Sequence, residues 1–173
     1  MRADNTTRGV PMDIATLALI LRNDDREVLL GLKRKGSKLG ANKWNGPGGI
    51  QELGETILEC LVRETEEEVG IILLAEKVEK VAIITCYYLA AGIPVPYMEI
   101  HVYRTSFFIG TPHATKSMLP AWHDVNDPPF GEMHESDSKW FGRAIKGEKF
   151  RANAYHREKA EGFINIEFLP FSE

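Results

Sequence analysis

The chain has 173 residues, 43% hydrophobic and 27% charged, enough for one domain with a sizeable core and too few for two comfortable ones. A net charge of −4 and a pI of 5.8 argue against a basic face for long nucleic acid. Two cysteines, Cys60 and Cys86, are too few for a disulfide framework and point to a reducing, cytoplasmic setting, and no apolar run approaches the 18 residues of a membrane span.

Residues 1–11 are polar and patternless and read as a disordered leader or an addition foreign to the native chain, so a single domain is expected over 12–173. Residues 16–21 (Thr-Leu-Ala-Leu-Ile-Leu) suit a buried strand, Asn23-Asp24-Asp25 a turn, and residues 27–33 the returning strand of a hairpin. Residues 35–45 read as a loop. Trp44-Asn45-Gly46-Pro47-Gly48-Gly49 opposes both helix and strand through its glycines and proline.

The clearest helix spans 56–69. Leu58, Leu61, Val62, Thr65 and Val69 form one stripe at i, i+3, i+4, i+7 and i+11, and Gly70 stands where a left-handed terminal residue belongs. Residues 76–89 and 97–109 read as two strands joined by a hairpin loop over 92–96. A short strand follows at 122–125. A second amphipathic helix over 138–149 carries Trp140, Phe141, Ala144 and Ile145 on one side, and 162–169 alternates as a final strand.

The chemistry concentrates between Gly49 and Gly70. Glu64, Glu67 and Glu68 stand at i, i+3 and i+4, so three carboxylates share a helix face directed away from the apolar stripe. Unneutralised, such a cluster costs a few tenths of a kcal/mol per like-charge pair, and most such runs are solvated surface. An oxygen-rich stripe is also what a hard cation such as Mg²⁺ requires. Gly48-Gly49 lets backbone approach closely and offer a carbonyl as a further ligand. Glu55 suits the helix start, and Arg63 can pair with an acid from the loop.

In full the segment is Gly49-x5-Glu55-x7-Arg63-Glu64-x2-Glu67-Glu68-x-Gly70-Ile71. It resembles the Nudix box, the signature of Mg-dependent hydrolases that cut nucleoside diphosphates linked to another moiety. The resemblance implies an α/β Nudix fold, a mixed β-sheet sandwiched between helices. It makes Glu64, Glu67, Glu68 and the Gly48 carbonyl the metal ligands, for Mg²⁺ with Mn²⁺ as a substitute. Glu55, Arg63, Glu64, Glu67 and Glu68 become the catalytic set, with Arg63 and Glu55 orienting the loop and helix. Thr65 departs from the pattern, standing in the core stripe where an aliphatic residue is usual.

Beyond the box, Val28 to Lys35, Trp44 to Gly49, Met98 to Tyr103 and Asp137 to Phe141 are similar to the oxidised purine nucleoside triphosphatases (8-oxo-dGTP diphosphatases). That likeness implies hydrolysis to the monophosphate and pyrophosphate, sanitising the nucleotide pool. Asn45 and Asp137 match residues that read the base. His134 replaces a stacking tryptophan, Ser136 a second aspartate, and Ser117 a glutamate that supplies an outlying metal ligand. Lys33 is a candidate phosphate contact, and Trp140 a core anchor and candidate pocket wall.

The alternatives are another nucleotide, such as a dinucleoside polyphosphate or ADP-ribose, and a domain kept for binding nucleotide or RNA without turnover. The partner expected is a small nucleotide, with no long nucleic acid and no membrane. The chain is expected to act as a monomer, with a homodimer left open.

Overall fold

The structure, a computed structural model, describes residues 11–35, 41–157 and 162–173. All of the expected leader except Pro11 therefore lies outside the described residues, as does part of the expected 35–45 loop.

In chain order the strands are β1 (Asp13–Arg22), β2 (Glu27–Lys33), β3 (Trp44–Asn45), β4 (Ile72–Leu73), β5 (Glu79–Ala90), β6 (Ile93–Thr105), β7 (Phe108–Ile109), β8 (Met118–Asp124), β9 (Phe150–His156) and β10 (Phe163–Pro170). Helix α1 (Ile57–Val69) follows β3, and α2 (Asp137–Ile145) follows β8. The main sheet runs β10-β9-β5-β6-β1-β2-β3, with β8 also paired to β2, while β4 and β7 form a separate small ribbon. The main sheet is mixed: β1 lies parallel to β6 and β5 parallel to β9, and the other pairs are antiparallel.

Both faces of β1 are buried, which is why its sequence is a continuous apolar run and not an alternation. Leu17, Leu19 and Leu21 face one way and pack with Trp140, Phe141, Ala144 and Ile145 of α2. Ala18 and Ile20 face the other way and pack with Leu61 and Val69 of α1. The two helices thus cover opposite faces of the sheet.

The Asn23-Asp24-Asp25 turn forms with φ of 54–60° at all three residues, values that Asn and Asp tolerate better than other side chains. Thr56 caps α1 in a reciprocal capping box with Glu59, and Gly70 ends it at φ 74°. The buried side of α1 is rotated from the expected stripe. Leu58 is exposed, whereas Cys60 and Glu68 are buried with Leu61, Thr65 and Val69. Thr65 fits because its hydroxyl donates to the Leu61 carbonyl one turn back, at 2.7 Å.

Four other expectations need correction. Trp44 and Asn45 do form a short strand, because Gly31 and Leu32 of β2 pair with them. The 92–96 loop shrinks to Ala91-Gly92. Pro94 and Pro96 lie within β6, which acquires its second neighbour, β1, only from Met98 onward, so on that open flank their missing N–H groups cost no pairing. The 122–125 strand extends back to Met118 because it pairs along the whole of β2. The second helix stops at Ile145 and not at 149, and β9 occupies residues for which no element was expected.

One topological detail creates the site. β1 pairs with β2 only through Ile20, Leu21 and Arg22, and then the two strands part. The glycine loop enters this split and runs along the first half of β1. The amides of Thr16 and Ala18 donate to the carbonyls of Gly49 and Pro47, and Gln51 N–H to that of Ile14.

Candidate active site

The split forces glycine at position 48. A Cβ there would stand 2.0 Å from the Thr16 carbonyl oxygen, a contact that backbone cannot relieve. At Gly49 a Cβ would fall 2.4–2.6 Å from the Glu64 carboxyl atoms, so the glycine makes room for that carboxylate against the loop. With Pro47 and Gly49 spending their carbonyls on β1, the Gly48 carbonyl between them has no hydrogen bond among the described residues.

Arg63 is the hub of the box. Its Nε and Nη2 grip Glu55 through both oxygens at 3.0 and 2.6 Å, while Nη1 reaches Glu64 at 2.7 Å and Glu67 at 3.4 Å. This fork, helped by the Glu52 N–H, holds the Glu55 carboxyl down at about 2. In return the acids hold the guanidinium well above its ordinary range. Arg63 and Glu55 therefore tie the loop to α1 as one charged unit.

Glu68 is set differently. It is 8% exposed, and burial pushes its carboxyl up despite the opposing pull of Lys33 and the Gly48 amide. Gly48 N–H donates to Oε2 at 2.9 Å, and the Lys33 ammonium lies 3.5 Å from Oε1. The Glu67 side chain is 61% exposed and, among the described residues, meets only Arg63. The three acids expected to share one face thus sit in three settings: braced, exposed and buried.

A cavity of about 440 Å³ runs from this loop across the α2 face of the sheet, and Lys33, Asn45, His134, Asp137 and Trp140 all line it. Asn45 Oδ1 caps its own loop by accepting from Gly46 N–H at 2.9 Å, which leaves the amide NH₂ without a protein partner among the described residues. Asp137 is 5% exposed; it accepts from His134 N–H at 3.2 Å and from the Trp140 indole, yet burial raises its pKa to about 7. Burial and the nearby Lys43 and Lys33 push the His134 pKa down, keeping the imidazole neutral. Ser136 also lines the cavity, whereas Ser117 is exposed and sits away from it.

Sequence reasoning missed Lys43, Tyr97 and His156 on the cavity wall. Lys43 neighbours Asn45 on the approach to β3 and donates to the Met133 carbonyl at 3.2 Å. Tyr97 fell within an expected strand but drew no attention, and His156 lies on the unexpected β9.

A model of the NUDIX domain matches residues 12–144. The chain belongs to the Nudix hydrolase family. It is 36% identical over 135 residues to the oxidized purine nucleoside triphosphate hydrolase of Mus musculus. To the protein of the same description from Danio rerio it is 34% identical over 134 residues. Each alignment covers 78% of this chain and 81% of the relative. A MutT protein from Bacillus halodurans has the same fold, with a TM-score of 0.76 over 93% of this chain and all of that one, at 20% identity.

Nudix hydrolases generally use a divalent metal, and the donor set here fits one. Carboxylates and a carbonyl offer oxygen alone, the preference of hard cations. Among the described residues, no three acidic, histidine or cysteine side chains already converge on one point. The reason is visible: Arg63 holds Glu64 and Glu67, and Lys33 with the Gly48 amide holds Glu68. In this hydrolase, protein cations pair with each of these acids. No helix among the described residues is long and apolar enough to cross a membrane.

Proposed function

We propose that this Nudix hydrolase cleaves oxidised purine nucleoside triphosphates, with Mg²⁺, to the monophosphate and pyrophosphate, as a cytoplasmic enzyme of nucleotide-pool sanitation. The observation that carries the reading is a single cavity joining the box to a buried carboxyl: Gly48 and Lys33 line one part, Asp137 and Trp140 another. Two relatives that match most of the chain are described as oxidized purine nucleoside triphosphate hydrolases, which supports the same substrate class.

Glu64, Glu67, Glu68 and the Gly48 carbonyl would hold the metal, for which Mn²⁺ could substitute. When bound, it supplies Lewis-acid stabilisation of phosphate charge and a more acidic water. Arg63 and Glu55 keep loop and helix in register, so the carboxylates are held in one geometry. Lys33 turns from Glu68 to the phosphate chain. The base lies in the apolar part of the cavity, against Trp140 and His134. Asn45 offers it an amide, and Asp137 offers an O–H donor while protonated or an acceptor once ionised.

A substrate panel tests this directly. Oxidised purine triphosphates are expected to give the highest kcat/KM. An ordinary triphosphate, ADP-ribose or a dinucleoside polyphosphate exceeding all of them would overturn the assignment.

A further inference from the structure

The cavity has an apolar floor and polar ends. Leu17 on β1, Ile100 on β6 and Ile84 on β5 make the floor. Asn45 stands at one end, beside the glycine loop. Toward the other end the lining includes His156 on β9 and Tyr97 on β6. From the glycine loop beside β1, through β6 and β5, to β9 is four strand steps, about 19 Å at the usual strand spacing. Once side chains from both ends reach inward, the space left over a flat hydrocarbon floor suits a planar bicycle with polar edges.

His156 is held for contact. Its ring meets Tyr97 edge-on with centroids 6.2 Å apart and Phe163 edge-on at 6.0 Å. The ring lines the cavity beside the Tyr87 backbone carbonyl, and its Nδ1 is sealed from solvent with no close hydrogen-bond partner among the described residues. Burial lowers the pKa of the ring, against the smaller opposing effects of the Tyr87 carbonyl and Glu135. The imidazole is therefore uncharged at neutral pH, and neither repels nor demands a charged partner. Placing such a polar ring in the wall costs stability unless something pairs with it.

We infer that His156 is a specificity-determining residue: it hydrogen-bonds the base edge opposite the one met by Asn45, so the enzyme reads its base from both ends. This rests on the substrate class proposed above and deepens it. The favoured base carries polar groups on both edges. An oxidised purine meets that need, because its five-membered ring carries a carbonyl oxygen and an N–H where the ordinary purine has a C–H and a bare nitrogen.

The test compares oxidised with ordinary purine triphosphates in wild type, His156→Phe and His156→Gln. Phenylalanine keeps the aromatic packing and loses the polar nitrogen, so the oxidised-over-ordinary ratio of kcat/KM is expected to fall roughly 3- to 10-fold, the worth of one hydrogen bond. Glutamine restores a polar group and is expected to recover part of that ratio. A ratio unchanged in both variants, with turnover intact, overturns the role of His156 while leaving the substrate class standing. A wild type with no preference for oxidised purines overturns the substrate class itself. Should the variants fail to fold, ¹⁵N-imidazole spectra of the wild type decide: a His156 ring-nitrogen resonance shifts with oxidised purine monophosphate and not with the ordinary one, and equal responses to both refute the contact.

Discussion

Replacing Asp137 with Asn should alter how stability depends on pH. The carboxyl titrates at about 7 in the fold, against about 3.9 for a free aspartate. The folded state thus holds this proton more tightly than the unfolded state does. Stability from this group is greatest below about pH 4 and is lost as pH rises toward 7, after which nothing further is lost. A difference of about three pH units corresponds to about 4 kcal/mol, an upper figure for one buried carboxylate. The Asn side chain keeps an oxygen for the His134 N–H and cannot ionise. Urea unfolding of both proteins at pH 4.5, 6 and 7.5 isolates the effect, because every other titrating group is shared. The variant should match wild type within about 1 kcal/mol at pH 4.5 and exceed it by several kcal/mol at pH 7.5. Stability curves that stay parallel across this range would refute the claim that burial holds the proton on Asp137.

Four other substitutions probe the box and its loop. Glu64→Gln and Glu68→Gln should each lower kcat by roughly 10²–10⁴ with the fold retained, measured as phosphate release in a coupled assay; wild-type turnover in both would remove them from the metal set. Lys33→Met frees Glu68 from the ammonium 3.5 Å away, so calorimetry on the nucleotide-free protein should show tighter Mn²⁺ binding, and KM for the triphosphate should rise. Unchanged Mn²⁺ affinity would show that Lys33 does not compete for this carboxylate. Gly48→Ala drives a Cβ against the Thr16 carbonyl and should cost about 3 kcal/mol or more in thermal or urea unfolding, since neither strand nor loop can yield; a variant as stable as wild type would contradict the close approach of loop and β1.

These sites share a logic of substitution. Arg63 pairs with Glu55, Glu64 and Glu67, and Lys33 with Glu68, which lets a dense cluster of negative charge exist in a folded protein. Arg63 holds Glu55 through two oxygens at 3.0 and 2.6 Å, whereas Lys33 meets Glu68 through a single ammonium at 3.5 Å. That asymmetry is chemical: a planar fork matched to a carboxylate is harder to displace than a point charge on a flexible stem.

Spacing along the chain was enough to reveal the box, because its residues lie on one helix turn after another and on the loop just before it. Helix α1, its Gly70 stop, the β1–β2 hairpin and the buried face of α2 were legible for the same reason: each depends on periodicity within a few residues. Tertiary structure decided what local pattern cannot express. Glu67 and Glu68 are neighbours with the same side chain, yet the loop entering the split between β1 and β2 buries one and leaves the other in water. Pro94 and Pro96 read as a loop until β6, the strand that carries them, proved to have a free flank there, and β9 owes its existence to pairing with β5 and β10. The raised pKa of Asp137 and the place of His156 on the cavity wall follow from such long-range pairing and burial, since the groups that surround them come from segments far apart in the chain.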